Sequence, residues 1–230
     1  MKDLLVVLFF SIFTISACSQ PKADKIHKHN HEVVSINEYL KNQEKDYSNL
    51  SVATFAGGCF WCTEAAFDRI NGVVDVISGY SGGHKDHPTY YEVGDGDTGH
   101  TEAIQVFFDA KVVSFETLLQ VLFVAHDPTQ VDRQGPDVGP EYRSAIYYHN
   151  DAQKAAIENF FRLIKEAGTL GAPIATEVGP YKEFWVAEDY HQDYYEYHPE
   201  NPYVQRISKP KVEKVKKVFK DILKPEYQKK

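Results

Sequence analysis

Residues 51–78 read SVATFAGGCFWCTEAAFDRINGVVDVIS. Residues 52–56 have the composition of a strand, Gly57-Gly58 turns the chain, and residues 59–70 read as a helix. Asn71-Gly72 is a helix stop. A second strand follows at 73–78, where Val74, Val76 and Ser78 alternate against Val73, Asp75 and Ile77. Downstream, residues 79–101 form a Gly-rich loop, and a loop of that length in a compact domain usually has a function. A strand at 102–108 places Ala103, Gln105 and Phe107 on one face. A helix over 114–125 carries the apolar stripe Phe115, Leu118, Leu119 and Leu122. After a loop at 126–142 come a strand at 144–148, a helix at 151–168 capped by Asp151, and short strands at 175–178 and 184–186. This mixed order of strands and helices predicts an α+β fold, not a doubly wound sheet.

The 230 residues are 43% apolar and 25% charged, which excludes wholesale disorder and fibrous classes. The 25 Lys and Arg are outnumbered by 33 Asp and Glu, giving a formal charge of −8. Nucleic-acid binding leans on cationic side chains, so no nucleic-acid partner is expected. Three cysteines, Cys18, Cys59 and Cys62, are too few for a disulfide framework.

The N-terminus reads as an address. Lys2 precedes an apolar run from Leu4 to Phe13, too short to span a bilayer but suited to a signal peptide over residues 1–17. Ile15-Ser16-Ala17-Cys18 resembles the lipobox of bacterial lipoproteins, which implies lipidation at Cys18 and anchorage in the bacterial cell envelope. Several acyl chains on one residue hold a protein firmly at a membrane. Residues 18–50, polar and carrying His27, His29 and His31, read as a tether, with a short helix near 36–40. The catalytic domain is expected over 51–205. Residues 206–230 form a basic helix with Val212, Val215, Val218, Phe219, Ile222 and Leu223 at helical spacing. A monomer is expected.

The chemistry concentrates at Gly57-Gly58-Cys59-Phe60-Trp61-Cys62. A cysteine in the first turn of a helix is expected to have a lowered pKa and to be nucleophilic. Cys62, three positions on, lies on the same face and within reach of a disulfide. Phe60 and Trp61 supply an apolar wall suited to a methyl or aryl group. Three readings stay open on these residues alone: a thioredoxin-like thiol–disulfide pair, a zinc site completed by His84 and His87, and a nucleophile with its resolving partner. A lipoprotein that binds oxidised partners without turnover is a fourth.

Four stretches, GGCFWCTEAAF, SGYSGGHKDHPTYYEV, TGHTEAIQVFFD and HDPTQVDRQGPDVGPEYRSAIYY, occur in that order and together resemble the peptide methionine sulfoxide reductase A family. The likeness runs from about Ala53 to Tyr203. It implies a two-layer α+β sandwich with a ferredoxin-like core, a mixed sheet and helices packed on it. The implied reaction is reduction of methionine-S-sulfoxide, one of two epimers that separate enzymes repair. By the same likeness Cys59 is the nucleophile and Phe60 and Trp61 receive the substrate methyl group. Tyr90 binds the sulfoxide oxygen, with Tyr91 as the lesser candidate, and Glu102 protonates that oxygen. Asp137 and Tyr142 complete the polar side of the pocket. His191 falls in a family-like stretch without a role. Cys62 replaces a Gly of other members, and no cysteine follows it, so recycling is expected to end at a Cys59–Cys62 disulfide. An external dithiol such as thioredoxin would then reduce it, with no metal or organic cofactor.

Overall fold

The computed structural model describes residues 33–228. The signal segment, Cys18 and the three His of the tether lie outside the described residues. In chain order the elements are β1 (Val34–Ser35), α1 (Ile36–Lys41), β2 (Ser51–Gly57), α2 (Phe60–Asp68), β3 (Val73–Ser81), α3 (Tyr90–Gly94) and β4 (Thr101–Phe108). Then come α4 (Phe115–Ala125), β5 (Arg133–Gln134), β6 (Asp137–Val138), β7 (Ser144–Tyr148), α5 (Asp151–Ala167), β8 (Glu177–Pro180) and β9 (Phe184–Val186). The chain ends in α6 (Tyr194–Tyr197), α7 (Lys209–Val218) and α8 (Pro225–Gln228).

Seven strands form one sheet in the order β1-β9-β3-β4-β2-β7-β8. β7 and β8 run parallel and the other pairs antiparallel, so the sheet is mixed. β4 sits between β2 and β3 and is antiparallel to both, so β2–α2–β3 is a crossover split by an inserted strand. All eight residues of β4 are buried, as its central place requires. Its alternate residues serve two cores. Ile104, Val106 and Phe108 face the layer of α2, α4 and α7, together with Phe55, Phe67, Leu118, Leu122 and Val215. Ala103 and Phe107 face the other side with Ile77, Phe184 and Val186.

That second face corrects the expected tether. Residues 33–50 are packed: β1 pairs with β9, Ile36 is buried, and Tyr39, Leu40, Tyr47 and Leu50 cover Phe107 and Ile77. Tyr47 donates from its hydroxyl to Asp75 at 2.5 Å and stacks edge-on with Phe107. A sheet with two apolar faces needs cover on both, and α2, α4 and α7 supply only one.

Smaller differences have local causes. α3 lies inside the expected loop, capped by a reciprocal box between Thr89 and Glu92. Asn150, not Asp151, caps α5, accepting from the Gln153 N–H at 2.9 Å. The strand expected at 175–178 forms at Glu177–Pro180, where it pairs with β7. In the basic C-terminal segment Val212 and Val215 are buried against α2 and α4, whereas Val218 faces solvent.

Candidate active site

Gly58 has φ +81°, and a Cβ there would meet Gln134 Cβ at 2.5 Å, so the turn from β2 into α2 requires glycine. It delivers Cys59 to the N-cap of α2, where Cys62 N–H closes back on the Cys59 carbonyl at 3.1 Å. The next free amide, Phe60 N–H, donates to Glu102 Oε2 at 2.9 Å. The helix terminus is thereby capped by the Glu102 carboxyl, and the Cys59 sulfur makes no capping bond. Glu102 reaches it from β4, in register opposite Tyr80 of β3.

Glu102 is 3% exposed. Burial raises its pKa to about 8, the Phe60 amide opposes the shift, and charge on Cys62, Asp137 and Glu141 adds to it. The carboxyl is therefore protonated at neutral pH. Tyr90 and Tyr142 lie beside it, and both phenols are pushed up, first by burial and then by the charge of Glu102. These hydroxyls stay protonated and are available as donors. Tyr91 is 78% exposed and takes no part.

Both cysteines are free thiols, buried and hydrogen-bonded to each other. The expected lowering of the Cys59 pKa is not what the structure shows. Burial raises it, the bond to Cys62 and charge on Cys62 and Glu102 raise it further, and the Tyr203 hydroxyl works the other way. Cys62 is the more acidic of the pair, drawn down to about 7 by the hydrogen bond from Cys59 against the cost of burial. Lys211 and Ser208 assist, and Asp137 opposes. Desolvation outweighs the helix terminus because the first amide is already committed to Glu102.

Of the two aromatics, Phe60 is fully buried behind the pocket, against Tyr80 and His191. Trp61 is the partly exposed one. Its indole stacks on Tyr194 at 3.8 Å, meets Tyr203 edge-on, and donates through Nε1 to His191 Nδ1 at 3.1 Å. Burial lowers the His191 pKa to about 4, so the ring is neutral and its Nδ1 accepts. Asp137, on β6, accepts a 2.6 Å hydrogen bond from Tyr203. Glu188 braces the opposite wall, accepting from Tyr80 Oη at 2.8 Å and from Tyr90 N–H at 2.9 Å.

The structure thus brings Cys59, Cys62, Phe60, Trp61, Tyr90, Glu102, Asp137 and Tyr142 to one place. Sequence reasoning missed Tyr203, Tyr194 and Glu188 and left His191 without a role. Only the density of aromatics in YHQDYYEYHPENPY marked that region. His84 is held by its backbone, N–H to the Thr98 carbonyl at 3.0 Å, and His87 packs on Trp185 at 4.2 Å and bonds the Val33 carbonyl. Among the described residues no group of three or more His, Cys, Asp or Glu is placed to hold a metal. A separate groove of about 650 Å³ lies between α5 and residues 168–174, but no thiol, carboxyl or phenol lines it.

A buried thiol pair, a neutral carboxyl and two phenols around one apolar wall make a site for reducing a small polar oxide. The family profile of peptide methionine sulfoxide reductase matches residues 51–223. The chain belongs to the peptide methionine sulfoxide reductase family. It is 52% identical over 174 residues to the peptide methionine sulfoxide reductase MsrA of Thermus thermophilus, covering 76% of this chain and 98% of that protein. Its identity to the Saccharolobus solfataricus MsrA is 46%, covering 76% and 98%. Among solved structures, reduced Mxr1 of Saccharomyces cerevisiae superposes with a TM-score of 0.63 at 36% identity, covering 70% of this chain and 92% of the yeast one. Methionine sulfoxide reductase A of Corynebacterium diphtheriae gives 0.60 at 34%, covering 67% and 77%. Like its family, this peptide methionine sulfoxide reductase is an oxidoreductase that returns methionine sulfoxide to methionine and so repairs oxidised protein.

Proposed function

We propose that the chain reduces the S epimer of methionine sulfoxide, in peptides and as the free amino acid, with Cys59 as nucleophile, Glu102 as acid and Cys62 as resolving thiol. The observation that carries this is the buried Glu102 carboxyl, kept neutral beside the cysteine pair. Sulfoxide oxygen leaves sulfur only when protonated, and a carboxylic acid with a pKa of about 8 can deliver that proton at neutral pH. The Tyr90 and Tyr142 hydroxyls donate to the same oxygen as charge builds there. Trp61 lies against the substrate methyl group, with Phe60 as the buried support behind it.

The cysteine pair shares a proton, and the attack draws on the form with the charge on Cys59. In that form the shared proton rests on Cys62, and the Tyr203 hydroxyl stands beside the charged sulfur. Cys59 thiolate attacks the sulfoxide sulfur, Glu102 gives its proton to the oxygen, and the oxygen passes to Cys59. Methionine leaves, and Cys59 becomes a sulfenic acid. Cys62 then attacks the Cys59 sulfur: an S–S bond forms, the S–O bond breaks, and hydroxide leaves as water with the proton Cys62 gave up. An external dithiol of the thioredoxin type, the reductant expected from the family likeness, restores both thiols by exchange.

The lipobox-like Ile15-Ser16-Ala17-Cys18 supports an exported protein lipidated at Cys18, working in the cell envelope. We divide the chain accordingly into a signal over 1–17, a tether that starts at Cys18, and the reductase, with residues 33–50 packed on its sheet.

The test is turnover of a peptide carrying both sulfoxide epimers, with excess dithiol and chiral resolution of what remains. Loss of the S epimer alone, abolished in Cys59→Ser, is the expected result. Consumption of neither epimer, or activity surviving in Cys59→Ser, overturns the assignment.

A further inference from the structure

The C-terminal chain reaches α2 through a π-turn, Val204–Ser208, that runs directly into α7. Such turns shift helical register and concentrate at functional sites. Here the turn is bracketed by side chains that each meet one sulfur. Tyr203, just before it, donates to Asp137 at 2.6 Å and holds its hydroxyl beside Cys59. Ser208, its last residue, is fully buried with Oγ 3.2 Å from Cys62 Sγ. Less than one turn later, Lys211 brings Nζ to 3.9 Å from the same sulfur. Among the described residues no carboxylate comes within ion-pair distance of Lys211, although its neighbour Lys216 pairs with Glu213 at 2.8 Å. A half-buried ammonium whose hydrogen-bonding contact is a sulfur has no evident role in holding the fold.

We infer that Ser208 and Lys211 are positioning residues for the resolving step, holding Cys62 as a thiolate aimed at Cys59 so that the sulfenic acid closes promptly to the disulfide. The inference rests on Cys62 being the resolving thiol. Its charge environment is otherwise adverse. Asp137 of β6 and Glu102 of β4 face Cys62 with acidic groups, Tyr203 and Tyr195 of α6 with phenols, and Cys59 with a second thiol. Lys211 of α7 is the cation that offsets them, and its pull on Cys62 acidity agrees with the geometry. In the step itself Cys62 thiolate forms the S–S bond, the Cys59 S–O bond breaks, and the departing hydroxide takes up the proton that Cys62 released and leaves as water. The two electrons come from the thiols, and the oxygen is the one taken from the substrate sulfoxide. Ser208 accepts from the Cys62 thiol and turns donor when the sulfur ionises.

The experiment is a single turnover of the full chain without external dithiol, by rapid quench, at several pH values. Methionine release reports the first step, and loss of dimedone-trappable sulfenic acid reports the second. Lys211→Met is expected to leave methionine release unchanged or faster, because it does not penalise charge on Cys59. Disulfide closure slows and its pH midpoint moves up. Each unit of upward movement slows closure at pH 6 by about threefold, since lost thiolate is partly offset by greater nucleophilicity. Lys211→Arg restores the midpoint, and Ser208→Ala gives a smaller shift in the same direction. Closure with the parent rate and pH midpoint in Lys211→Met overturns the inference, as does equal slowing of both steps, the mark of a purely structural role. Cys62→Ser separates the two levels. If it stalls as sulfenic acid while Lys211→Met behaves as the parent, only the role of Lys211 fails. If it does not stall, the resolving assignment fails and this inference with it.

Discussion

Glu102 is a carboxyl that folding by itself would select against. Its pKa of about 8 lies well above that of an unfolded glutamate because burial penalises the charged form. The sign of the linkage follows. Below about pH 4 both states are protonated and the residue costs nothing. As pH rises toward 8 the unfolded chain releases the proton and the folded one keeps it, so stability falls across that window. The penalty at pH 8 is on the order of 5 kcal/mol. Glu102→Gln is therefore expected to raise the melting temperature at pH 8 and to leave it nearly unchanged at pH 4, measured by thermal denaturation. The same change removes the acid and should lower kcat/KM about 10²- to 10⁴-fold. A variant that loses activity without gaining stability at pH 8 contradicts the buried-acid account. In the wild-type protein, methionine release requires the pair singly ionised and Glu102 protonated. Its rate should rise through about pH 7 and fall above about 8, read from a pH series of burst rates.

At the scale of elements, the first turn of α2 decides where both sulfurs sit. Gly58 makes that turn possible, in the left-handed region and in van der Waals contact with Gln134. Gln134 in turn accepts from the Asp127 N–H through Oε1 and donates through Nε2 to the Asp127 carbonyl, pinning the segment that carries Asp137 and Tyr142. Gly58→Ala is expected to destabilise by about 1 to 3 kcal/mol through strain and displacement of Gln134. It should also lower kcat more than an equally destabilised variant far from the site. Urea denaturation beside kinetics checks both, and wild-type stability in the variant would refute the constraint. The strand at 73–78 and those at 102–108, 144–148 and 184–186 were legible because alternation and β-branched runs agree with their environment. α3 was not, since Gly and Asp dominate its surroundings, yet its Thr89–Glu92 capping signal stood in the sequence. Glu188 gave no signal and His191 only a place in a family-like stretch, for their roles depend on Tyr80, Tyr90 and Trp61 arriving from three other elements.

At the scale of the whole molecule, the N-terminal segment closes the second face of the sheet. Val33 and Ile36 are buried, and β1 occupies the edge beside β9. A chain beginning at Gln43 lacks β1 and α1 and leaves Val186 and Trp185 unpaired at that edge. It is expected to melt at least about 5 °C lower and to self-associate through the uncovered strand. Light scattering with thermal denaturation checks this, and a truncated chain with the parent melting temperature would show the cover to be dispensable. The opposite end of the chain is tied down by Arg69. It lies between the rings of Tyr195 and Tyr227 at 4.8 and 4.7 Å and pairs with Glu196 at 2.6 Å. That clamp holds α6 and α8 against the end of α2, and so keeps the π-turn over the cysteines.

The sequence by itself determined the α+β order of elements, the cysteine pair at the mouth of a helix, and the family to which those motifs belong. Each is written in local spacing: a period of two, a glycine turn, two residues between cysteines. Only the tertiary structure decided that the two thiols are buried side by side, that Glu102 is neutral, and that Tyr203, Ser208 and Lys211 gather at the two sulfurs. Those properties are set by burial and by groups that lie far away along the chain. Desolvation and charge act through space, and no local pattern records them.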